Sequence, residues 1–307
     1  MSLRINNNVE SLNAHRHLLN NEKMLTKSLE RLSSAQKINR GADGPAALVI
    51  SEGMRSQIAS LHQAADNNES AISLVQTAEG ALNEVSTLLV DMRQRAVAAA
   101  NIGLNDENMV NASQQEIENA LDTIDRISTN TQFGSKNLLD GNGKAAAGVP
   151  EAAAEAASAG KDSKSLAFQI GANRGQMVSI DLPSVATTEL AKAVSNQSGF
   201  ASLADVDVTT GQGAQDAMAV IDTAIEEIAV ARGEMGAFQK NTLESNLTSL
   251  RIHTENLTAA ESSIRDADIA VELAAFTRNQ IMTQSATAQL AQANALPKNV
   301  MALLASQ

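Results

Sequence analysis

The chain has 307 residues, a formal net charge of −12, five phenylalanines and no cysteine, tryptophan or tyrosine. The lack of thiols excludes disulfides, thiolate chemistry and most zinc sites, and an apolar surface of Ala, Leu, Ile, Val and Met suits helix seams better than a ligand pocket. The sequence contains no apolar run near the ~18 residues that span a bilayer, and its start lacks the apolar core of a cleavable signal peptide. We therefore expect no membrane span. If the protein is exported, we expect a route that does not use a cleavable signal peptide.

A first amphipathic helix is predicted from Val9 to Ile38, before two glycines and a proline in residues 39–45 break it. The apolar face of this helix needs a partner, and its leucines are Leu12, Leu18, Leu25, Leu29 and Leu32. Residues 1–40 hold more basic than acidic side chains but no aromatic residue that could stack on a base. We interpret the basic strip as a solvated or partner-facing surface and expect no nucleic-acid binding.

Two further helices are predicted, from Ala46 to about Ala100 and from Glu107 to Thr129. In the longer one, residues at coiled-coil spacing define one seam, with Glu79 and Ser86 as polar interruptions. The residues of that seam are Ile58, Leu61, Ala65, Asn68, Ile72, Val75, Leu82 and Leu89.

The middle of the chain changes character. Residues 140–164 are mostly Ala, Gly, Pro and Glu and are predicted to form a surface excursion. Alternating apolar residues on both sides of a Gly-rich turn predict a β-hairpin over residues 166–182, and residues 183–213 are expected to be a loosely patterned link.

The longest predicted element is one proline-free helix from Ala214 to Asp266, with an apolar stripe along most of its length. The stripe shifts by one residue between Met235 and Leu243, beside Gly233 and Gly236. This shift predicts a bend or a change of packing partner.

Beyond Asp266 the apolar stripe restarts on a new phase, and Pro297 interrupts it. Its members include Ile269, Leu273, Phe276, Met282, Leu290, Val300 and Leu303. The chain therefore ends, as it begins, in an amphipathic helix without an obvious partner, and this symmetry indicates assembly.

No residue pattern points to catalysis or to a cofactor. The four histidines are His15, His17, His62 and His253, and the sequence contains no HExxH motif, phosphate-binding glycine loop or nucleophile elbow. We predict no catalytic, metal or cofactor-binding residues.

Several motifs in fixed order resemble bacterial flagellin. They include NNNVESLNAHRHL, SLERLSSAQKIN, GADGPAALVISEGMRSQI, SAISLVQTAEGALNEV, FQIGANRGQ and AESSIRDADIAVELAAFTRNQIMTQSATAQLAQANALPKNV. The resemblance covers roughly residues 3–140, 165–182 and 215–304. It implies a mainly α fold, with a long antiparallel helical bundle or coiled-coil rod, a small β-hairpin and no large outer domains.

The resemblance also implies a subunit of the flagellar filament that is exported through the flagellar type III apparatus. Residues 1–40 and 267–307 would pair as an inner coiled-coil layer, with the terminal apolar residues named above as its assembly seam, and residues 44–266 would form the central bundle. The implied partners are other flagellin subunits, an export chaperone, and the cap and hook-junction proteins. The filament would be extracellular, with a periplasmic one left open.

Two departures from the family pattern concern the chain's first break. Ala35 stands where the family commonly has glycine after RLSS. Gly44-Pro45 stands in the helix-breaking segment, where the family usually has acidic residues and alanines. Both lie where the implied inner and second layers join, and they bear on the angle between these layers.

The resemblance further implies a surface for the vertebrate Toll-like receptor that senses flagellin. Asp91 stands where recognised members have a basic residue, Arg95 replaces a leucine, and Glu116 matches the family's acid. We expect weak recognition; the alternative is that Asp91 and Arg95, four residues apart on a helix, form a local ion pair that serves filament packing.

Two other functions remain open at this stage. A hook-filament junction protein shares the end helices but usually lacks continuous matches across QTAEGAL, IDRI and FQIGAN. A cytosolic signalling coiled coil of chemoreceptor type fits long antiparallel helices but explains neither the hairpin nor the amphipathic ends.

Overall fold

The computed structural model describes residues 8–101, 103, 106–141, 164–192 and 194–305, without the side chains of residues 164 and 296–305. Within these ranges the chain forms six α-helices and two small antiparallel sheets, so the mainly α prediction is confirmed. The helices are α1 Val9–Ser34, α2 Pro45–Ala99, α3 Glu107–Asn130, α4 Gly211–Ala237, α5 Ser245–Arg265 and α6 Ile269–Ala305. The strands are β1 Gln132–Phe133, β2 Lys136–Asn137, β3 Lys164–Gln169 and β4 Met177–Leu182.

Short polar side chains mark where four of the helices begin. The side chains of four residues each accept a hydrogen bond from a backbone amide two or three residues further on: Asn8, Asp106, Thr210 and Asp268. The donor–acceptor distances are 3.1, 2.8, 3.0 and 2.9 Å, respectively. These caps satisfy amide groups that the first helical turn leaves without a partner.

The chain divides into two compact units, residues 1–58 with 255–307, and residues 59–254. The hydrophobic core described below belongs to the second unit, and the paired terminal helices belong to the first.

In the second unit α2 buries one unbroken coiled-coil seam. Every third or fourth residue is buried: Leu61, Ala64, Asn68, Ala71, Val75, Ala78, Leu82, Val85, Leu89, Met92, Ala96 and Ala99. Of the two heptad positions in the predicted seam, one is correct and the other is displaced by one residue. Ala65 and Ile72 were predicted at the displaced position and are only half-buried, whereas Ala64 and Ala71 are buried. Glu79 and Ser86 therefore lie beside the seam and do not interrupt it. Alternate layers of the seam are mostly alanine, a residue that marks a buried face weakly.

The predicted single helix of residues 214–266 is continuous in its helical backbone but not in its type. A π-helical segment, Phe238–Glu244, joins α4 to α5. Within this segment Gln239 Nε2 donates a hydrogen bond to Glu244 Oε1 at 2.9 Å. The two residues are five apart, which is also the spacing of the backbone hydrogen bonds in a π-helix. The one-residue shift in the apolar stripe falls on this segment.

The predicted β-hairpin is present. Strands β3 and β4 pair antiparallel from Lys164 opposite Leu182 to Gln169 opposite Met177. Amide side chains of the helices hold the carbonyl groups at its turn: Asn67 Nδ2 donates to Gln169 O at 3.2 Å, and Asn246 Nδ2 donates to Ile170 O at 2.7 Å.

The segment 183–213 is more than the loose link that its sequence suggested. Its apolar residues are buried in the core of the second unit: Val185, Leu190, Ala191, Leu203, Val206 and Val208. Side chains of α3 and α4 fasten its backbone, since Asp125 Oδ1 accepts from Thr187 N at 2.9 Å and Glu227 Oε2 accepts from Ala191 N at 3.0 Å. The sequence-based description was wrong because these contacts are long-range and have no periodicity.

Candidate assembly surface

The terminal helices α1 and α6 pair antiparallel along their length. Near one end Asn8 Nδ2 donates to the carbonyl of Ala293 at 2.8 Å. Further along Asn21 Nδ2 donates to the carbonyl of Met282 at 3.3 Å. Near the other end the guanidinium of Arg31 lies 3.7 Å from a carboxylate oxygen of Glu272.

The helices meet along seams with heptad spacing. In α1 the half-buried leucines are Leu18, Leu25 and Leu32, with Asn21 and Ser28 between them and Ala14 before them. In α6 the seam-facing residues are Glu272, Phe276, Asn279, Thr283, Ala286, Leu290 and Ala293. The seam thus alternates large apolar side chains with small or polar ones, which allows close approach and side-chain hydrogen bonds such as Asn279 Nδ2 to Ser28 Oγ at 3.2 Å.

Five residues of the predicted assembly seam point away from this pairing. Leu12 is 67% exposed and Leu29 is 54% exposed. On α6 the exposed members are Ile269, Leu273 and Met282. Within one chain, the predicted residues that lie on the seam between α1 and α6 are Leu18, Leu25, Leu32, Phe276 and Leu290. The role of the whole predicted set in assembly stays a prediction. The side chains of Val300 and Leu303 lie outside the described residues.

Sequence reasoning missed other members of the outward surface. Val9, Leu19 and Met24 are exposed on α1, and Val271 and Ile281 are exposed on α6. Between residues 269 and 276 the only polar residue is Glu272. This stretch could have identified Val271, since a helix that is apolar on most sides is expected to be covered on most sides. We call the exposed large apolar residues of α1 and α6 the outward apolar surface.

A groove of about 600 Å³ runs along α6 within the outward apolar surface. It is lined by Ala270, Leu273, Ala274, Thr277, Arg278, Ile281 and Met282. The lining combines small residues with large apolar ones, which gives α6 a shape into which side chains of another helix can fit.

Ion pairs surround the breaks between α1 and α2 and between α5 and α6. Lys27 Nζ lies 2.7 Å from Asp43 Oδ1, and its ammonium, together with the Arg40 amide, holds the pKa of Asp43 below its ordinary value. Arg265 Nη1 lies 2.6 Å from Glu52 Oε1, and this contact lowers the pKa of Glu52.

The three residues of the predicted receptor surface lie on exposed faces of α2 and α3. Arg95 Nε and Glu116 Oε2 form an ion pair at 2.5 Å. Asp91 is exposed on the same helix as Arg95. The structure thus pairs Arg95 with an acid on the neighbouring helix, and not with Asp91 as in the alternative interpretation.

Within the described ranges, no helix combines the length and the hydropathy needed to cross a membrane. Among the same residues, no group of three or more histidines and acids is placed so that it could hold a metal ion.

Two family models match the chain. The model of the bacterial flagellin N-terminal helical region matches residues 5–144. The model of the bacterial flagellin C-terminal helical region matches residues 218–304. Together these matches cover the terminal helices, α2, α3 and most of α4.

Relatives of full length agree with the family models. The chain is 40% identical to a flagellin of Bacillus subtilis, over 98% of this chain and 100% of the relative. It is 35% identical to a flagellar filament 30.7 kDa core protein of Treponema maltophilum, over 98% of this chain and 99% of the relative. A solved flagellar hook-associated protein of Vibrio parahaemolyticus shares the fold, with a TM-score of 0.57, 16% identity, and 73% of this chain and 100% of that chain covered. The chain therefore belongs to the bacterial flagellin family and is a structural subunit of the flagellar filament.

Proposed function

We propose that the chain polymerises through the outward apolar surface of α1 and α6, which other copies of the chain cover in the filament. The observation that carries this proposal is the exposure of large apolar side chains around the terminal helix pair, with Val271 64% and Ile281 58% exposed in one chain. An exposed apolar surface of this kind usually marks an interaction site.

The energetics favour burial of this surface by assembly. Complete burial of one Val, Leu, Ile or Met side chain contributes about 1.5–3 kcal/mol, so a few such residues per subunit can offset much of the entropy lost on association. The seam between α1 and α6 contains several small or polar residues, and its own contribution is correspondingly smaller. On this proposal residues 1–40 and 267–307 form the inner layer and residues 44–266 the surrounding one.

The experiment compares two substitutions of equal charge on adjacent residues of α6. Ile281→Asp places a carboxylate on the outward apolar surface, and Gln280→Asp places one at a neighbouring exposed polar position. We expect Ile281→Asp to abolish pelletable filaments and Gln280→Asp to retain them. Normal filaments from Ile281→Asp would contradict the proposal, and equal loss in both variants would indicate a general effect of charge.

We further propose that the subunit leaves the cell through the flagellar type III apparatus, with an export chaperone in the cytoplasm and the cap and hook-junction proteins at the filament ends. Family membership supports this assignment. The filament would be extracellular or periplasmic. Antibody labelling of intact and permeabilised cells separates these locations, because a periplasmic filament is labelled only after permeabilisation.

We also propose that the Toll-like receptor which senses flagellin binds this subunit weakly. Two of the three positions that match the family's receptor contacts carry altered side chains, Asp91 and Arg95. The third, Glu116, already pairs with Arg95 at 2.5 Å. A receptor would have to break this ion pair, and at position 95 it would contact a cation instead of an apolar side chain. Altered central contacts of this kind commonly cost ~2 kcal/mol or more of binding free energy each.

Receptor-reporter cells provide the test. Depolymerised protein of the natural sequence should activate them weakly, and the double variant Asp91→Arg, Arg95→Leu should activate them strongly. The matched control is Arg93→Leu, which removes a nearby cation paired with Asp222 on α4 but leaves the three matched positions unchanged. Potent activation by the natural protein would contradict the proposal.

A further inference from the structure

The segment that follows α1 and the segment that precedes α6 are hydrogen-bonded to each other. The amide of Lys37 donates to the carbonyl of Arg265 at 2.7 Å, and the amide of Ala267 donates to the carbonyl of Ala35 at 3.0 Å. Between these bonds Gln36 and Asp266 face each other as an isolated antiparallel β-bridge. We call residues 35–37 and 265–267 the linker clasp.

The linker clasp lies between the end of α1 and the start of α6. Helix α1 ends at Ser34, one residue before the clasp, and α6 begins at Ile269, two residues after it. Because the two helices are far apart in sequence, pairing them from an open chain requires closure of a very long loop. With the clasp closed, the same pairing becomes as local as that of a helical hairpin.

Ion pairs join the elements that flank the clasp, and one of them includes the clasp residue Arg265. Arg40 Nε contacts Glu30 Oε1 at 2.7 Å. The other pairs are Lys27 with Asp43, Arg31 with Glu272 and Arg265 with Glu52. In the last three pairs one partner is largely covered, with side-chain exposures of 13% for Asp43, Glu272 and Arg265. Such pairs contribute more than fully solvated ones, because solvent screens them less.

We propose that the linker clasp couples the ordering of α1 to the ordering of α6, so that the two terminal helices order together and not one at a time. A single amphipathic helix without a packing partner is marginal in water. The clasp holds both helices at one point and thereby gives each its partner at high effective concentration. This inference rests on the proposed assembly through α1 and α6 for its role in the filament, but its physical content concerns the single subunit.

A disulfide across the bridge tests the coupling in one protein. The bonds of the bridge are made by the residues that flank Gln36 and Asp266, so these two form a non-hydrogen-bonded antiparallel pair with Cα atoms about 4.5 Å apart. This separation suits a disulfide. The chain has no cysteine of its own, so the double variant Gln36→Cys, Asp266→Cys can form only this intramolecular bond.

The readout is brief trypsin digestion of the depolymerised double variant, oxidised and reduced. Lys23 lies in α1 and Arg278 in α6. In the oxidised protein we expect cleavage after both residues to slow together, by about tenfold or more (a shift of ~1.4 kcal/mol in the ordering equilibrium), and reduction to restore the faster rate. The single variants Gln36→Cys and Asp266→Cys, each alkylated, should be cleaved like the natural protein.

Three results would overturn the clasp. These are equal cleavage rates in the oxidised and reduced protein, slower cleavage in only one of the two helices, and failure of the two thiols to oxidise in assembled filaments. Polymerisation is measured separately, by sedimentation of the reduced variant. If the disulfide protects both helices but the Ile281→Asp subunit still polymerises, the proposal for the clasp is supported and the proposed assembly surface is contradicted.

Discussion

Met235 and Leu243 are eight residues apart, yet both side chains are buried in the same core, with exposures of 1% and 0%. In a regular α-helix, residues eight positions apart point about 80° away from each other. The π-helical segment Phe238–Glu244 begins between them and includes Leu243, and a π-helix holds more residues per turn than an α-helix. The extra residue returns the stripe to the core face.

Deletion of Asn241, an exposed residue of the π-helical segment, should therefore be tolerated. It leaves Met235 and Leu243 seven residues apart, the spacing at which a regular α-helix buries both. We expect a free energy of unfolding within about 1 kcal/mol of the natural protein, measured by urea unfolding and circular dichroism.

The matched control is deletion of Glu226, an exposed residue within regular α4. This deletion rotates Ile228 by about 100° relative to Ile221, and loss of a buried Ile or Met contact costs about 2–5 kcal/mol. If both deletions cost the same, the π-helical segment is not the element that corrects the register.

Substitution of Ala35 by glycine should strengthen the filament. Ala35 ends α1 in the left-handed conformation, with φ 56° and ψ 15°, which costs a residue with a Cβ roughly 1 kcal/mol or more. We expect the critical concentration for polymerisation of Ala35→Gly to fall about fivefold, measured by pelleting. Ala59→Gly, in the interior of α2, should give no such fall, because glycine there is unfavourable. An unchanged or higher critical concentration for Ala35→Gly would contradict this prediction.

Leu290→Asp should block polymerisation while the second unit stays folded. Leu290 is half-buried on the α6 seam, and an unpaired carboxylate in an apolar contact costs several kcal/mol. We expect near-normal helical circular dichroism with no pelletable filament. Gln289→Asp, an exposed neighbour, should still assemble. Filaments of normal yield from Leu290→Asp would mean that the position faces water in the polymer.

Acid should weaken the unit that holds the terminal helices. Lys27 and Arg265 lower the pKa values of Asp43 and Glu52 from ordinary values of 3.8 and 4.5. A carboxylate with a lowered folded-state pKa stabilises the fold above its unfolded-state pKa, and this contribution is lost as the pH falls through the folded-state value. Light scattering of filaments between pH 6 and about pH 2 should show disassembly at the acid end.

The double variant Asp43→Asn, Glu52→Gln should make that disassembly less steep in pH, because the two titrating groups are gone. Glu255→Gln, at an exposed position of α5, is the control and should leave the profile unchanged. An identical pH profile in the double variant would show that other carboxylates control acid disassembly.

The sequence alone predicted the helices, the hairpin and the family well, because these depend on local periodicity and on contiguous motifs. The position of the π-helical segment was also readable, as a one-residue shift of the stripe. The exact residues of the α2 seam could not be predicted from the sequence. Ala64, Ala71 and Ala78 are buried in it, but alanine is common on both faces of helices. The packed segment 183–213 was missed for a related reason: its buried residues have no regular spacing.

Composition, periodicity and motif order thus determined that this chain is helical, that both ends carry apolar faces and that it resembles flagellin. Only the tertiary structure decided which of those apolar residues meet within one chain. Leu18 lies against α6 while Leu12 lies outside the pairing, because heptad spacing selects one face of the helix and the other is left for other copies. The linker clasp was also decided only in the folded chain, because its hydrogen bonds join backbone groups that every residue type except proline possesses.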